Sequence, residues 1–222
     1  MEEFKLGKLR YIIRYPEGFS KDDKRPALIF LHGAGTRGND MDKLRDNTFF
    51  ELYASHEGLP FVTFAPLCTE NTWFDLFEHL QELVKTIAKL PYVDEKRICL
   101  IGASMGGYGT WQLAMSMPEY FAAIVPICGG GMYWNTGRLV NVPVWAFHGG
   151  VDGCVLPRES EKMVEAINKA GGNAKLTIYP EAGHDSWTPT YSNPEVYEWM
   201  LQFESNCTVE LKDEYSDSKI YG

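Results

Sequence analysis

Ser104 stands in Gly102-Ala103-Ser104-Met105-Gly106, between an apolar run of strand type at residues 97–101 and apolar residues at helical spacing over 108–117. A serine held at so tight a strand-to-helix turn has to take a strained backbone conformation. The residues two places to either side must also be small enough for the chains to pass. Glycine at 102 and 106 meets that need. The turn aims the first amides of a helix at the space above the hydroxyl, which favours negative charge there. The chemistry this suits is acyl transfer. A bare G-x-S-x-G arises by chance in roughly one chain of this size in ten or twenty, so the rest of the chain has to supply the partner groups.

A serine hydroxyl is a poor nucleophile at neutral pH and needs a base to take its proton. Asp152 follows a strand-like run at 142–147, and His184 follows another at 175–179, in Ala182-Gly183-His184-Asp185. The chain order Ser, Asp, His is that of a nucleophile elbow followed by its acid and base. In this reading His184 accepts the Ser104 proton, and Asp152 holds the imidazole in the required tautomer and stabilises the imidazolium. A base must be neutral to act, so activity should fall as the pH is lowered. The tetrahedral oxyanion needs fixed donors. One is the amide of Met105, and the second comes from the turn at Gly33-Ala34-Gly35, assigned to Ala34.

Rival residues have plainer readings. His32 and His148 each end an apolar strand and precede glycine, and are read as structural turn residues; His56 and His79 fall on helices. Asp185 competes with Asp152 but adjoins the histidine and would struggle to reach its Nδ1. Cys154 lacks the strand-turn-helix setting of a nucleophile. Trp73 and Trp187, in loops near strand ends, are taken as pocket walls; Tyr108 and Trp134 are pocket walls or core aromatics on even terms.

The elements that would position these groups follow from periodicity. Residues 8–15 alternate as an outer strand. Residues 27–31 form a continuous apolar run of the kind buried inside a parallel sheet, ending at His32-Gly33-Ala34-Gly35. One helix is expected over 41–56, capped by Asn39 or Asp40, then a strand at 61–65 stopped by Pro66. A helix with one apolar stripe covers 73–90. After the serine helix come strands at 122–127 and 142–147, a helix at 157–170 closed by Gly171-Gly172, the strand at 175–179 and a last helix at 194–203. Strands alternating with helices imply an open, mostly parallel α/β sheet with helices on both faces. In such sheets ligands collect at the carboxyl ends of the strands. Residues 1–204 read as a single domain and 205–222 as a polar surface tail.

Composition narrows the partners. A chain of 222 residues, 45% hydrophobic, can bury a core of its own. A net charge of −9 and a pI near 5.1 argue against nucleic acid or an anionic membrane. The amino terminus lacks the apolar core of a signal peptide and no run approaches the ~20 apolar residues of a membrane span, so the expected location is cytoplasmic. Five cysteines form no C-x-x-C pair, and neither they nor the five histidines show zinc-site spacing. No metal or cofactor is expected. A homodimer is left open.

The motifs taken together carry a resemblance. LHGAGTRGND at 31–40, TWFD at 72–75, GASMGGYGTW at 102–111, PICGGG at 126–131, VPVWAFHGGVD at 142–152 and AGHDSW at 182–187 are similar to the α/β-hydrolase superfamily. The branch they resemble is that of small carboxylesterases and "predicted peptidases", related to dienelactone hydrolases and the catalytic domain of prolyl oligopeptidases. Gly153-Cys154 departs from the more polar pair that similar proteins often carry after the acid. The resemblance implies an α/β-hydrolase fold and a serine hydrolase. Too few residues separate 127 from 142 for a helical lid, and the chain has no room for a peptide-orienting domain. The expected substrate is therefore a small or short-acyl ester, such as an acetyl or phenolic ester of a sugar. The alternatives are a prolyl-oligopeptidase-type peptidase and a non-catalytic binding protein that keeps the fold.

Overall fold

The computed structural model describes residues 1–207. It opens on a strand that periodicity did not reveal. β1 (Glu2–Leu6) pairs antiparallel with β2 (Leu9–Arg14). The turn between them is closed by Gly7 at φ +57°, a conformation costly for any residue with a Cβ. β1 is an edge strand with one buried residue, Phe4, stacked on Tyr11 at 5.7 Å, so its sequence shows no alternating apolar signal.

Six further strands follow: β3 (Arg25–Leu31), β4 (Val62–Pro66), β5 (Val93–Ala103), β6 (Phe121–Ile127), β7 (Val144–Gly149) and β8 (Ala174–Tyr179). The sheet order is β1-β2-β4-β3-β5-β6-β7-β8. β2 runs antiparallel to β4, and every pairing from β4 to β8 is parallel. This is the expected mostly parallel α/β sheet.

Both faces are covered, which explains why the central strands read as unbroken apolar runs. Ala27, Ile29 and Leu31 of β3 face one core, and Leu28 and Phe30 face the other. The first core is closed by α3 (Phe77–Ile87), α4 (Met105–Ser116) and α5 (Arg158–Lys169). The second is closed by α1 (Met41–Arg45), α2 (Thr48–Ala54), α6 (Trp187–Tyr191) and α7 (Pro194–Met200). Among the described residues no helix is long and apolar enough to cross a membrane.

Two helix expectations are corrected. The helix expected over 41–56 is two, because Asn47 takes an extended backbone (φ −64°, ψ 135°) and its side chain accepts from the Phe49 amide, starting α2 afresh. Asp40, accepting from Asp42 N–H, is the cap of α1. The helix expected from 73 begins instead as a 3-10 turn, Trp73–Leu76, held by a capping box between Thr72 and Asp75. Of the tail read as starting at 205, the Ser205 amide bonds the Lys96 carbonyl at 2.7 Å and Cys207 is buried; residues 208–222 lie outside the described residues.

Candidate active site

β5 ends at Ala103, and Ser104 turns the chain into α4 with φ +56° and ψ −118°. A non-glycine residue there stores about 1–3 kcal/mol of strain, which the surroundings must hold. They do so from two sides. The Ser104 amide donates to the Ile127 carbonyl of β6 at 2.9 Å, and the Ser104 carbonyl accepts from Tyr108 N–H at 3.0 Å. The bend packs so closely that a Cβ on Gly106 would lie 1.8 Å from the Leu31 carbonyl oxygen, and one on Gly102 would lie 2.5 Å from that of Gly106. The two glycines are thus required by close approach of backbone.

The hydroxyl meets a relay. His184 Nε2 lies 2.8 Å from Ser104 Oγ, and His184 Nδ1 lies 2.8 Å from Asp152 Oδ2. Trp187 stands edge-on to the imidazole at 5.3 Å. Asp152 is 2% exposed, and burial alone would raise its pKa. The His184 ring and the Val155 and Cys154 amides, which donate to Oδ1 at 2.9 and 2.8 Å, outweigh that and hold it below the ordinary carboxylate value. The acid is therefore ionised, and it accepts the imidazole N–H. This arrangement can move a proton from Ser104 Oγ to His184 Nε2 as a bond forms to an acyl carbon.

The acid loop is itself anchored. His148, fully buried, lies with Nε2 2.9 Å from the Val155 carbonyl and 3.4 Å from Asp152 Oδ2, while its Nδ1 is 2.7 Å from Ser160 Oγ. Ser160 in turn reaches the Gly129 carbonyl at 3.0 Å. His148 thus fastens the loop after β7 to the loop after β6. Asp185 takes no part in the relay: its carboxylate accepts from the Thr188 amide and hydroxyl at 3.0 and 2.9 Å, at the start of α6.

The turn after β3 meets the start of α4 beside Ser104. Met105 is the first helical residue of α4, so its amide has no acceptor within the helix. Opposite it, Gly33 packs on the nucleophile, a Cβ there standing 3.6 Å from Ser104 Cβ, and Ala34 opens a short 3-10 turn. His32 fixes this turn: its Nδ1 lies 2.7 Å from the Gly33 carbonyl, its Nε2 accepts from Cys68 N–H at 3.0 Å, and its carbonyl accepts from Trp73 Nε1–H at 3.0 Å. Burial pushes its pKa down to about 4. A neutral His32 therefore contributes stability that is complete above about pH 6.5 and is lost as the pH falls toward 4, by about 3 kcal/mol in all. Denaturant midpoints from pH 7 to 4.5 should show this decline, and His32→Asn should flatten it; an unchanged slope in the variant would refute the assignment.

The site opens into a cavity of about 440 Å³ walled by Phe30, Trp187 and Tyr191, with Thr36, Asn47 and Thr48 as polar lining. Only Trp187 of these was expected from sequence. Asn47 was legible as a cap signal but not as a wall, because that depends on the break between α1 and α2. Tyr108 lines a second cavity. The expectation that Trp73 forms a wall is corrected: it is fully buried in the core, where its indole N–H satisfies the His32 carbonyl. Trp134, 73% exposed on a 3-10 turn, lines neither cavity. Cys154 is exposed at the rim of the first cavity.

Among the described residues, Cys128, Asp152 and His184 form the one group whose potential ligand atoms lie close enough for a shared cation, all within 4.8 Å. Burial pushes the Cys128 thiol up to about 12, and the other two are already hydrogen-bonded to each other. The donor set therefore suits a proton relay better than a metal.

Known proteins share this architecture. Inactive dipeptidyl peptidase 10 of Mus musculus is 27% identical over 161 residues, covering 60% of this chain and 20% of its own length. Dipeptidyl-peptidase 5 of Porphyromonas gingivalis is 25% identical over 219 residues, covering 76% of this chain and 32% of its own. The chain thus spans a fifth to a third of these relatives. The solved structure of a thermostable esterase superposes with a TM-score of 0.76 at 32% identity, covering 91% of this chain and 62% of that one. With a family model matching residues 64–198 across the serine elbow, the acid loop and the histidine loop, the chain belongs to the dienelactone hydrolase family.

Proposed function

We propose that this chain is a serine carboxylesterase acting on small or short-acyl esters, acetyl or phenolic esters of sugars among them. The observation that carries the reading is the unbroken relay from Ser104 Oγ through His184 to an ionised Asp152, each link 2.8 Å. Likeness to an esterase over 91% of the chain supports it. Ser104 Oγ attacks the ester carbonyl and His184 Nε2 takes its proton; Asp152 stabilises the imidazolium. The amides of Met105 and Ala34 receive the oxyanion. As the intermediate collapses, His184 returns the proton to the departing alcohol, leaving an acyl-Ser104. Water activated by the same imidazole then releases the acid.

The cavity of about 440 Å³ has room for a short acyl group. Expected for p-nitrophenyl esters is a kcat/KM that peaks at about two to four acyl carbons and falls about tenfold or more by ten carbons, since the stretch between 127 and 142 is too short for a helical lid over a longer chain. A steady rise to long chains would overturn the short-acyl reading. Likeness to dipeptidyl-peptidase 5 favours a second reading, a peptidase, and dipeptidyl p-nitroanilides turned over faster than the acetyl ester would establish it in place of the first.

A further inference from the structure

The sheet divides the surroundings of Ser104 in two. The cavity of about 440 Å³ lies on the side of α2 and α6. A second cavity, about 530 Å³, lies on the opposite side and is lined by Phe74, Phe77, Tyr108, Gln112, Met132 and Glu159. Its residues come from the same edge of the sheet as the nucleophile. Phe74 lies in the connection after β4, Tyr108 in the first turns of α4, Met132 after β6, and Glu159 in the first turn of α5 after β7. Phe77 and Met132 pack on the first core, whereas Trp187 packs on the second. Ser104 therefore sits on the ridge between a cavity on each face.

Tyr108 links the second cavity to the nucleophile. It lies one turn of α4 beyond Ser104, about 6 Å along the axis, and side chains on a helix lean back toward its amino terminus. Partial burial first, then the nearby charges of Glu159 and Asp152, hold its phenol above the ordinary range. Phe74 is 50% exposed, an aromatic ring left half in water on the cavity wall. Glu159 places a negative charge on a lining whose other residues are uncharged; its contact to Arg158, at 3.8 Å, is long and on an exposed partner.

We infer that this second cavity is the alcohol subsite of the esterase, and that it selects an uncharged aromatic or bulky apolar alcohol while rejecting one that bears a carboxylate. The inference rests on the proposed function. With the short acyl group in the cavity that holds Ser104 and the turn at Ala34, the alcohol extends over the ridge, across Tyr108, onto Phe74 and Met132. Glu159 then faces the outer end of that arm, where a second anion is repelled and a neutral or donor-bearing group is accepted.

The test compares acetates of alcohols with similar leaving-group strength, followed by pH-stat. In the wild-type protein kcat/KM for benzyl acetate should exceed that for ethyl acetate by about tenfold, the gain from burying part of one ring. It should exceed that for 4-carboxybenzyl acetate by about threefold to tenfold at low salt, with the second gap narrowing as salt is added. Phe74→Ala should lower the benzyl-to-ethyl ratio several-fold, and Glu159→Gln should close most of the gap to the carboxybenzyl ester. Each ratio is taken within one preparation, so a variant's folded fraction cancels. Unmoved ratios in both variants overturn the inference. So does a Phe74→Ala effect confined to the acyl series, methyl 3-phenylpropanoate against methyl propanoate, which would place the arm on the other side of the ester. If the wild-type protein hydrolyses none of these acetates, the proposed function itself fails, an outcome distinct from turnover of ethyl acetate with ratios that the variants leave unchanged.

Discussion

Ser104→Ala is expected to lower kcat for short-acyl p-nitrophenyl esters by about 10⁴- to 10⁶-fold, leaving the small residual rate that oxyanion donors and binding provide. The expectation follows from geometry: among the described residues the hydroxyl or thiol within hydrogen-bond reach of His184 Nε2 is Ser104 Oγ, at 2.8 Å. Alanine keeps the Cβ and the left-handed backbone that Gly102, Gly106 and the Ile127 carbonyl enforce, so the variant should fold with a melting temperature close to the parent's. A fluorophosphonate reagent should label the native protein on the peptide containing Ser104 and should not label the variant. Label recovered on Cys154, or a variant within tenfold of the parent, would defeat the assignment. No labelling of the native protein would instead favour a non-catalytic binding protein that keeps the fold.

How far the sequence discloses this site depends on how local each signal is. The elbow was legible because its requirement, two glycines around a serine between a strand and a helix, is written within five residues. The meeting of Asp152 and His184 with Ser104 was legible because each follows its own strand, and a parallel sheet brings those ends to one edge whatever the intervening helices do. The walls were not legible in the same way. Trp73 and Trp187 each open a short helical segment near a strand end, yet one turns inward to satisfy the His32 carbonyl and the other stands beside His184; the difference lies in a tertiary hydrogen bond. Asn47 reaches the cavity only because it breaks a helix that periodicity would continue. β1 escaped notice because an edge strand with one buried side chain has no alternating pattern to show.

The different partners of Asp152 and Asp185, His184 for one and Thr188 for the other, lead to the second large effect. Asp152→Asn should lower kcat by about 10⁴-fold, because an asparagine offers an amide N–H where His184 Nδ1 needs an acceptor, and the ring turns to the tautomer that presents N–H, not a lone pair, to Ser104. Packing should survive, since the asparagine oxygen can still accept from the Cys154 and Val155 amides that Oδ1 now serves. Stability carries a separate signature. The Asp152 pKa is lowered in the folded protein from its ordinary value of 3.8, so the ionised carboxylate contributes stability that is present above that value and is lost as the pH falls through the lower, folded one. The stability gap between parent and Asp152→Asn should therefore be full at pH 7 and narrow at pH 3. Asp185→Asn is the informative comparison. Asp185 holds the start of α6 through Thr188, and an asparagine oxygen can still accept the Thr188 amide, so the variant should lose no more than about 0.5 kcal/mol of stability and at most a few-fold in rate through Trp187. A rate loss of about 10⁴ in Asp185→Asn with a mild Asp152→Asn would reverse the two assignments and with them the account of how His184 is oriented.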